Sequence, residues 1–373
     1  MGNKHLRLVF AGDVCLPFLK RLPPGEPAFG SWPVIKEDIG EHDLLIGNLE
    51  CALVDERCDQ QAHGQSMATP VELASFLREI GFTDLCLANN HTMDCGSDGL
   101  AATRDWIADN QIRAVGAGSD LHDAEAPVFL QRHGCRVALL GACDKSEFYA
   151  TEDRAGVAPL EKRRLGERVR EAAAQADLVV VMLHADLEFS QVPGRWRQRL
   201  SRWLIEQGAQ LVIQHHPHVL QGVESYRGGL IAYSLGNFIF HLNGNSYQGH
   251  KPGVHDSVLL VVDLEIVDGR PSITHRIIPL HIGDDHVPHR LSGPAHEAAL
   301  ERFQALSALI ADRRQHRKLW FRRCREEAAA RLLQAYYGLR RRDIASVKST
   351  AHQLLTCRED RRWLRGLATL GYR

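Results

Sequence analysis

Leu211-Val212-Ile213-Gln214-His215-His216-Pro217-His218 carries an apolar stretch straight into three imidazoles. A short run of leucine and β-branched residues reads as a strand covered on both faces, so polar side chains at its end face a crevice rather than the core. Pro217 stiffens the backbone between His216 and His218, and both rings then leave the same side. Imidazoles clustered at such a place have little packing rationale and a clear metal-binding one.

The pattern recurs at other strand ends. Asp13 follows Val9-Phe10-Ala11-Gly12, and Asn48 and Glu50 follow Leu44-Leu45-Ile46-Gly47 with a spacing of two that points both the same way from an extended chain. Asn90 and His91 follow Leu85-Cys86-Leu87-Ala88, and His184 ends Val179-Val180-Val181-Met182-Leu183. Ligands leaving separate rigid strands can converge on one crevice, as a metal site on an α/β scaffold requires. Carboxylate, amide and imidazole donors match Zn, Mn or Fe better than Mg or Ca, and the set is large enough for one or two ions. Taken singly, each residue has a plainer reading: Asp13 or Asn48 as a turn residue, His184 as an interior histidine. Their joint occurrence favours a site. His63, His122, His250 and His352 have no such setting and read as surface residues.

Short apolar runs at 6–14, 43–47, 84–88, 136–142, 178–183 and 211–213 read as strands, and amphipathic stripes between them read as helices. Leu73, Phe76, Leu77 and Ile80 form one stripe, with Thr69-Pro70 as its start and Gly81 as its stop. Leu165, Val169, Ala172 and Ala176 form a second, and Trp196, Leu200, Trp203 and Leu204 a third. After His218 the texture becomes Gly-punctuated strands at 230–235, 258–267 and 272–282, with Asp268-Gly269 as a turn. An alternating α/β half followed by a more antiparallel half predicts two packed sheets with outer helices.

At 373 residues and 44% hydrophobic content the chain can bury a substantial core. Its net charge of −1 conceals an asymmetry: residues from Arg290 onward carry 19 Lys and Arg against 8 Asp and Glu, leaving 26 against 38 before it. A boundary near Ser292-Gly293-Pro294 separates residues 1–290 from a basic helical region at 291–373, whose pattern from Leu300 continues through Trp363 and Leu367 with breaks at Gly338 and near Ser346. No apolar run is long enough for a transmembrane segment and the N-terminus lacks a signal-peptide core, so the expected location is cytoplasmic. Nine scattered cysteines without a CxxC framework read as small hydrophobes in a reducing compartment.

Phe10-Ala11-Gly12-Asp13-Val14, Gly47-Asn48-Leu49-Glu50, Ala88-Asn89-Asn90-His91, His184 with Glu188, His215 through Gly222, and Tyr233-Ser234-Leu235-Gly236-Asn237-Phe238 together resemble the ordered motifs of the capsule-synthesis CapA (poly-γ-glutamate biosynthesis, PgsA-type) family. That family is similar to the calcineurin-like metallophosphoesterases, which implies a four-layer α/β/β/α sandwich with a C-terminal helical appendage. The resemblance implies Asp13, Asn48, Glu50, Asn90, His184, His216 and His218 as metal ligands, His91 and Glu188 as catalytic residues, and His215 and Asn237 as substrate-binding residues. Cys15 stands where phosphoesterases have a histidine and Asn48 where they have a bridging aspartate. Ala185-Asp186 replaces an aromatic-glycine pair, and Gln214 a glycine.

The implied chemistry is metal-dependent hydrolysis or transfer, with His91 donating a proton to the leaving group. The implied substrate is an anionic polymer or its phosphorylated precursor, with polymer-synthesis proteins as partners. A non-catalytic assembly or export factor that grips an acidic polymer through its basic tail is the alternative, against a plain solvated helical cap. No nucleic-acid module accompanies the charge.

Overall fold

Residues 4–16, 29–54, 67–144, 148–242, 248–267 and 270–340 are described by the computed structural model. Two mixed sheets pack face to face with helices on their outer surfaces, which is the α/β/β/α order of layers. The first sheet runs Pro288–Arg290, Arg270–Ile282, Asp256–Val267, Lys4–Val14, Leu44–Leu49, Asp84–Cys86 and Arg113–Val115, with Asn237–Ile239 added beside Lys4–Val14. The second runs Leu220–Tyr226, Gly229–Leu235, Leu211–His215, Leu178–His184, Cys135–Cys143 and Val128–Arg132. The sheets therefore do not follow the two halves of the chain: the first combines both ends, and the second is built from the middle.

Strands of the second sheet are apolar on both faces because each face meets a different layer. Val137, Leu139, Val180, Met182, Leu211 and Ile213 pack toward the first sheet. Ala138, Leu140, Val179, Val181 and Val212 pack against helices Lys162–Ala173 and Arg195–Glu206. The second and third helical stripes thus lie where their periodicity places them. Glu161 caps the Lys162–Ala173 helix by accepting from the amides of Arg163 and Arg164 at 3.2 and 2.8 Å.

Two local expectations change, and one strand is added. Thr69-Pro70 is not a helix cap: Ala68–Pro70 pairs in parallel with Ala52–Val54, and a 3-10 turn at Val71–Ala74 leads into helix Ser75–Ile80. Gly81 does end that helix, at a φ of 92°. Val128–Arg132, absent from the hydrophobic pattern since only Leu130 of it is buried, pairs with Cys135–Cys143 in a hairpin whose tip, His133-Gly134, has positive φ at both residues, the backbone of a tight two-residue turn. In the basic region, helix Gly293–Ala311 stops at Asp312 and helix Arg313–Arg340 runs through Gly338, so the break comes earlier than expected. The expected turn at Asp268-Gly269, His63, His352 and the pattern beyond Arg340 lie outside the described residues, whereas His122 and His250 are exposed, as surface residues should be.

Cys15, Cys51, Cys86, Cys135, Cys143 and Cys324 are buried thiols. Cys95 is disulfide-bonded, a departure from a wholly reduced chain. Among the described residues no helix is long and apolar enough to cross a membrane.

Candidate metal centre

Parallel register brings the ligand-bearing strand ends into line. In the first sheet Asp13 is level with Asn48, and Asn48 with Cys86, just ahead of Asn89 and Asn90. In the second, His184 is level with His215. The register slips between Phe10 and Asp13, where Gly12 admits the next loop: a Cβ there would lie 2.2 Å from the Gly236 carbonyl oxygen. The Asp13 amide donates to that oxygen at 3.1 Å, which places Asn237 beside Asp13.

Asp13, Asn48, Glu50, Asn90, His184, His216 and His218 meet in one crevice between the sheets. The His184 and His216 rings are 4.7 Å apart, and those of His216 and His218 5.8 Å. His184 Nε2 lies 2.7 Å from Asn90 Oδ1 and 3.5 Å from Glu50 Oε1. His218 Nε2 lies 3.7 Å from that same Glu50 oxygen. Two groups have ligand atoms close enough for a cation, Asp13 with Glu50 and His184, and Glu50 with His216 and His218. Glu50 belongs to both.

Asn48 and Glu50 differ in what remains free. The Asn48 amide donates to Asp13 Oδ1 at 2.8 Å, approaches His184 Nδ1 at 3.3 Å, and accepts from Asn89 at 3.2 Å. Glu50 is fully buried, and neither of its carboxylate oxygens has a hydrogen-bond partner. A buried carboxylate left in that condition costs several kcal/mol, on the order of a lost ion solvation shell, unless it takes up a proton or a cation answers it.

The electrostatics agree. Burial opposes charge on Asp13, yet the His215 and His218 imidazoles hold its carboxyl far below the usual range. Glu50 moves the other way: burial pushes it well up, Asp13 adds repulsion, and His218 opposes. Burial also holds His184 well below its ordinary value. It works against charge on His218 too, but Glu50 and Asp13 outweigh it and push that imidazole up to about 10. Both His216 and His218 adopt positive φ, 94° and 55°, on either side of Pro217, so strained backbone concentrates at the ligand loop.

The remaining expected residues take different places. His91 sits at the rim, its Nδ1 held by Asp94 Oδ2 at 2.9 Å, which leaves Nε2 as the ring nitrogen available to a bound molecule. Glu188 is half-buried and near enough to bias both Glu50 and His218. His215 and Asn237 are buried behind the ligands rather than at an open surface: His215 Nδ1 lies 3.2 Å from Asp13 Oδ1, and Asn237 Oδ1 2.9 Å from His218 Nδ1.

Residues 7–242 match the profile of the family described as bacterial capsule synthesis protein PGA_cap. This chain belongs to that family. PGA biosynthesis protein CapA of Bacillus subtilis (strain 168) is 32% identical over 236 residues, covering 62% of each chain. Capsule biosynthesis protein CapA of Bacillus anthracis is 32% identical over 247 residues, covering 61% of this chain and 59% of that protein. The match thus spans about three fifths of the curated relatives. A hypothetical protein from Thermus thermophilus, known from its crystal structure, aligns over 74% of this chain and 99% of its own at 17% identity, with a TM-score of 0.43.

Two oddities of this PGA_cap chain, Asp186 and Gln214, are explained by a third residue that the sequence reading passed over. Arg197 is completely buried and donates to the Ala185 carbonyl at 2.9 Å, to Asp186 Oδ2 at 3.1 Å, and to Gln214 Oε1 and the Tyr233 carbonyl. It ties together the backbone just beyond His184, just before His215 and just before Gly236. A signal was present: Arg197 precedes Leu200 by three residues and so falls on the buried stripe. Asn89 was missed as well. It donates to the Leu49 carbonyl at 2.8 Å and accepts from the amides of His91 and Thr92 at 3.1 and 3.0 Å, folding the loop that presents Asn90 and His91.

The basic helices also reach the site. Leu187 packs with Trp320 and Cys324, and Arg323 donates to the Glu188 carbonyl at 2.9 Å while its guanidinium lies 5.8 Å from the Phe189 ring centre. Phe189 in turn faces His218 at 6.4 Å.

Proposed function

We propose that this PGA_cap protein acts in capsule or poly-γ-glutamate biosynthesis as a metal-dependent hydrolase of the phosphoesterase type, on an anionic polymer or its phosphorylated precursor. The observation that carries the reading is Glu50, buried with neither oxygen hydrogen-bonded at the point shared by two ligand groups. Asp13, Glu50 and His184 would hold one divalent ion, and Glu50, His216 and His218 a second, with Glu50 common to both groups and the Asn48 amide already hydrogen-bonded. When bound, such a cation supplies Lewis acidity and lowers the pKa of a coordinated water. The chain's own contribution is positioning and proton transfer. His215 and Asn237 orient Asp13 and His218 from behind, as outer partners of metal ligands do. His91, with its tautomer set by Asp94, is the group at the rim that can protonate a leaving group.

The test separates holding metal from turning over substrate. His216→Ala is expected to lose bound Mn or Zn by elemental analysis together with hydrolysis of phosphoester and γ-glutamyl substrates. His91→Ala is expected to keep its metal and to lose on the order of a hundredfold in rate. A wild-type protein without stoichiometric divalent metal, or one that turns over neither substrate, would return the protein to the non-catalytic, polymer-gripping reading, and undiminished turnover in His91→Ala would remove His91 from the proton-transfer role.

A further inference from the structure

Helix Arg313–Arg340 sorts its cations by face. Toward the body, Arg323 and Arg331 pair with Glu327 at 2.8 and 3.0 Å. On the other side a cleft of about 1220 Å³ opens along the helix, lined by seven Arg and Lys residues and one carboxylate, Glu326. Glu326 is taken up by Arg322 and Arg323 at 3.9 and 3.8 Å. Arg313, Arg314, Arg317, Lys318 and Arg325 are exposed and have no carboxylate partner among the described residues. Arg195, from the start of the Arg195–Glu206 helix, joins them by donating to the Arg313 carbonyl at 3.3 Å. Burial and then the neighbouring Arg313, Arg199, Arg202 and Arg317 charges lower the Arg195 pKa.

This arrangement is unfavourable for the chain alone. Arg313 and Arg317, and Arg314 and Lys318, are like charges four residues apart, and all four crowd the positive end of the helix dipole. From Arg313 to Arg325 the row is about 18 Å long at 1.5 Å per residue. A single anion would answer one end of it, whereas an extended polypeptide covers that length with about five residues. A concave cleft suits a chain better than a flat surface.

We propose that this cleft is a docking groove for an acidic polypeptide chain, whose successive carboxylates lie along the Arg313–Arg325 row. The choice of an acidic polypeptide rests on the capsule and poly-γ-glutamate reading above; the groove itself rests on its charge. A docked chain lies on the helix whose inner face braces the Glu188 loop, and the groove engages it without using the candidate ligands.

The experiment uses the full chain and fluorescence anisotropy with labelled poly-L-glutamate of about fifty residues, labelled triglutamate, a single-stranded oligonucleotide of matched charge, and phosphatidylglycerol vesicles. The long polyglutamate is expected to bind about tenfold or more tighter than triglutamate, because only the long chain spans the row, and to weaken as salt rises. Arg314→Glu, Arg317→Glu and Lys318→Glu combined are expected to lower its affinity about tenfold or more with metal content unchanged, and the corresponding triple Gln variant to fall between. Equal binding by wild type and the triple variants overturns the proposal, as does tighter binding of the oligonucleotide or the vesicles. If the wild type holds no metal yet binds polyglutamate, and the triple Glu variant does not, the groove stands and the hydrolase reading fails.

Discussion

A guanidinium sealed from water must find all its partners inside the protein, and Arg197 does so at the junction of three ligand-bearing segments. Replacing it with methionine keeps much of the volume but leaves the Asp186 carboxylate, equally buried and facing it at 3.1 Å, with the Gly194 amide at 2.6 Å and without the guanidinium that balances its charge. Breaking one side of a buried pair costs about 3–5 kcal/mol, far more than the pair contributes over an apolar substitute. Arg197→Met is therefore expected to lower the melting temperature by several degrees and to weaken Mn binding, since the backbone beyond His184 and before His215 loses a common anchor. A calorimetric melt and a Mn titration check this; an unchanged melt would show that Asp186 finds another partner. The same argument explains why Asp186 and Gln214 read as anomalies one at a time. Their reason is a single side chain that precedes Gln214 by seventeen positions.

Among elements, the seam between helix Arg313–Arg340 and the loop before helix Arg195–Glu206 carries a titratable group. His316 is buried, its Nε2 donates to the Pro193 carbonyl at 2.7 Å, and its Nδ1 has no partner. Burial holds its pKa below the ordinary 6.5; the bond to Pro193 opposes that, and Arg195 reinforces it. The unfolded chain therefore takes up this proton before the folded one does. The sign follows: the contribution of His316 to stability is present above about pH 6.5 and is lost as pH falls below it toward the depressed folded value. Melts of wild type and His316→Gln between about pH 7.5 and 5 are expected to show a steeper loss on acidification in the wild type. Parallel curves would mean that the ring escapes its burial on protonation. The seam also shows where periodicity misplaces an element end: Asp312, not Gly338, separates the two helices, because its carboxylate accepts from the amides of Arg314 and Gln315 at 3.0 and 2.9 Å and caps the second.

For the whole molecule, the basic helices are packed onto the sandwich. Phe303, Leu306 and Ile310 are buried against it, and the Ser307 hydroxyl accepts from the Val223 amide at 3.1 Å. Covering each of those side chains is worth roughly 1.5–3 kcal/mol. A chain ending at residue 292 is therefore expected to lose on the order of 5 kcal/mol in stability, seen as a lower denaturation midpoint. It should still reach stoichiometric metal at saturation, because no candidate ligand lies beyond His218. Loss of stoichiometric metal from a still-folded truncation would mean that the Arg323 contact to the Glu188 loop holds the centre together.

Much of this architecture is written locally. Apolar runs ending in Asp13, Asn48, Asn90, His184 and His216 specify buried strands and a polar edge, because a side chain's burial preference and a strand's period of two are properties of neighbouring residues. The order of motifs carries the family and the layers in the same way. Which strands become neighbours is not local. Lys4–Val14 pairs with Asp256–Val267 across the length of the domain, and only that closure puts Gly236 over Gly12 and Asn237 beside Asp13. Likewise Asn48 and Glu50 are equivalent candidates in a strand two residues apart. Tertiary packing separates them, since the Asn48 amide meets Asp13, His184 and Asn89 while neither oxygen of the Glu50 carboxylate is hydrogen-bonded. Composition determined that ligands would gather; the three-dimensional balance of donors and acceptors decided which carboxylate is left to face a cation.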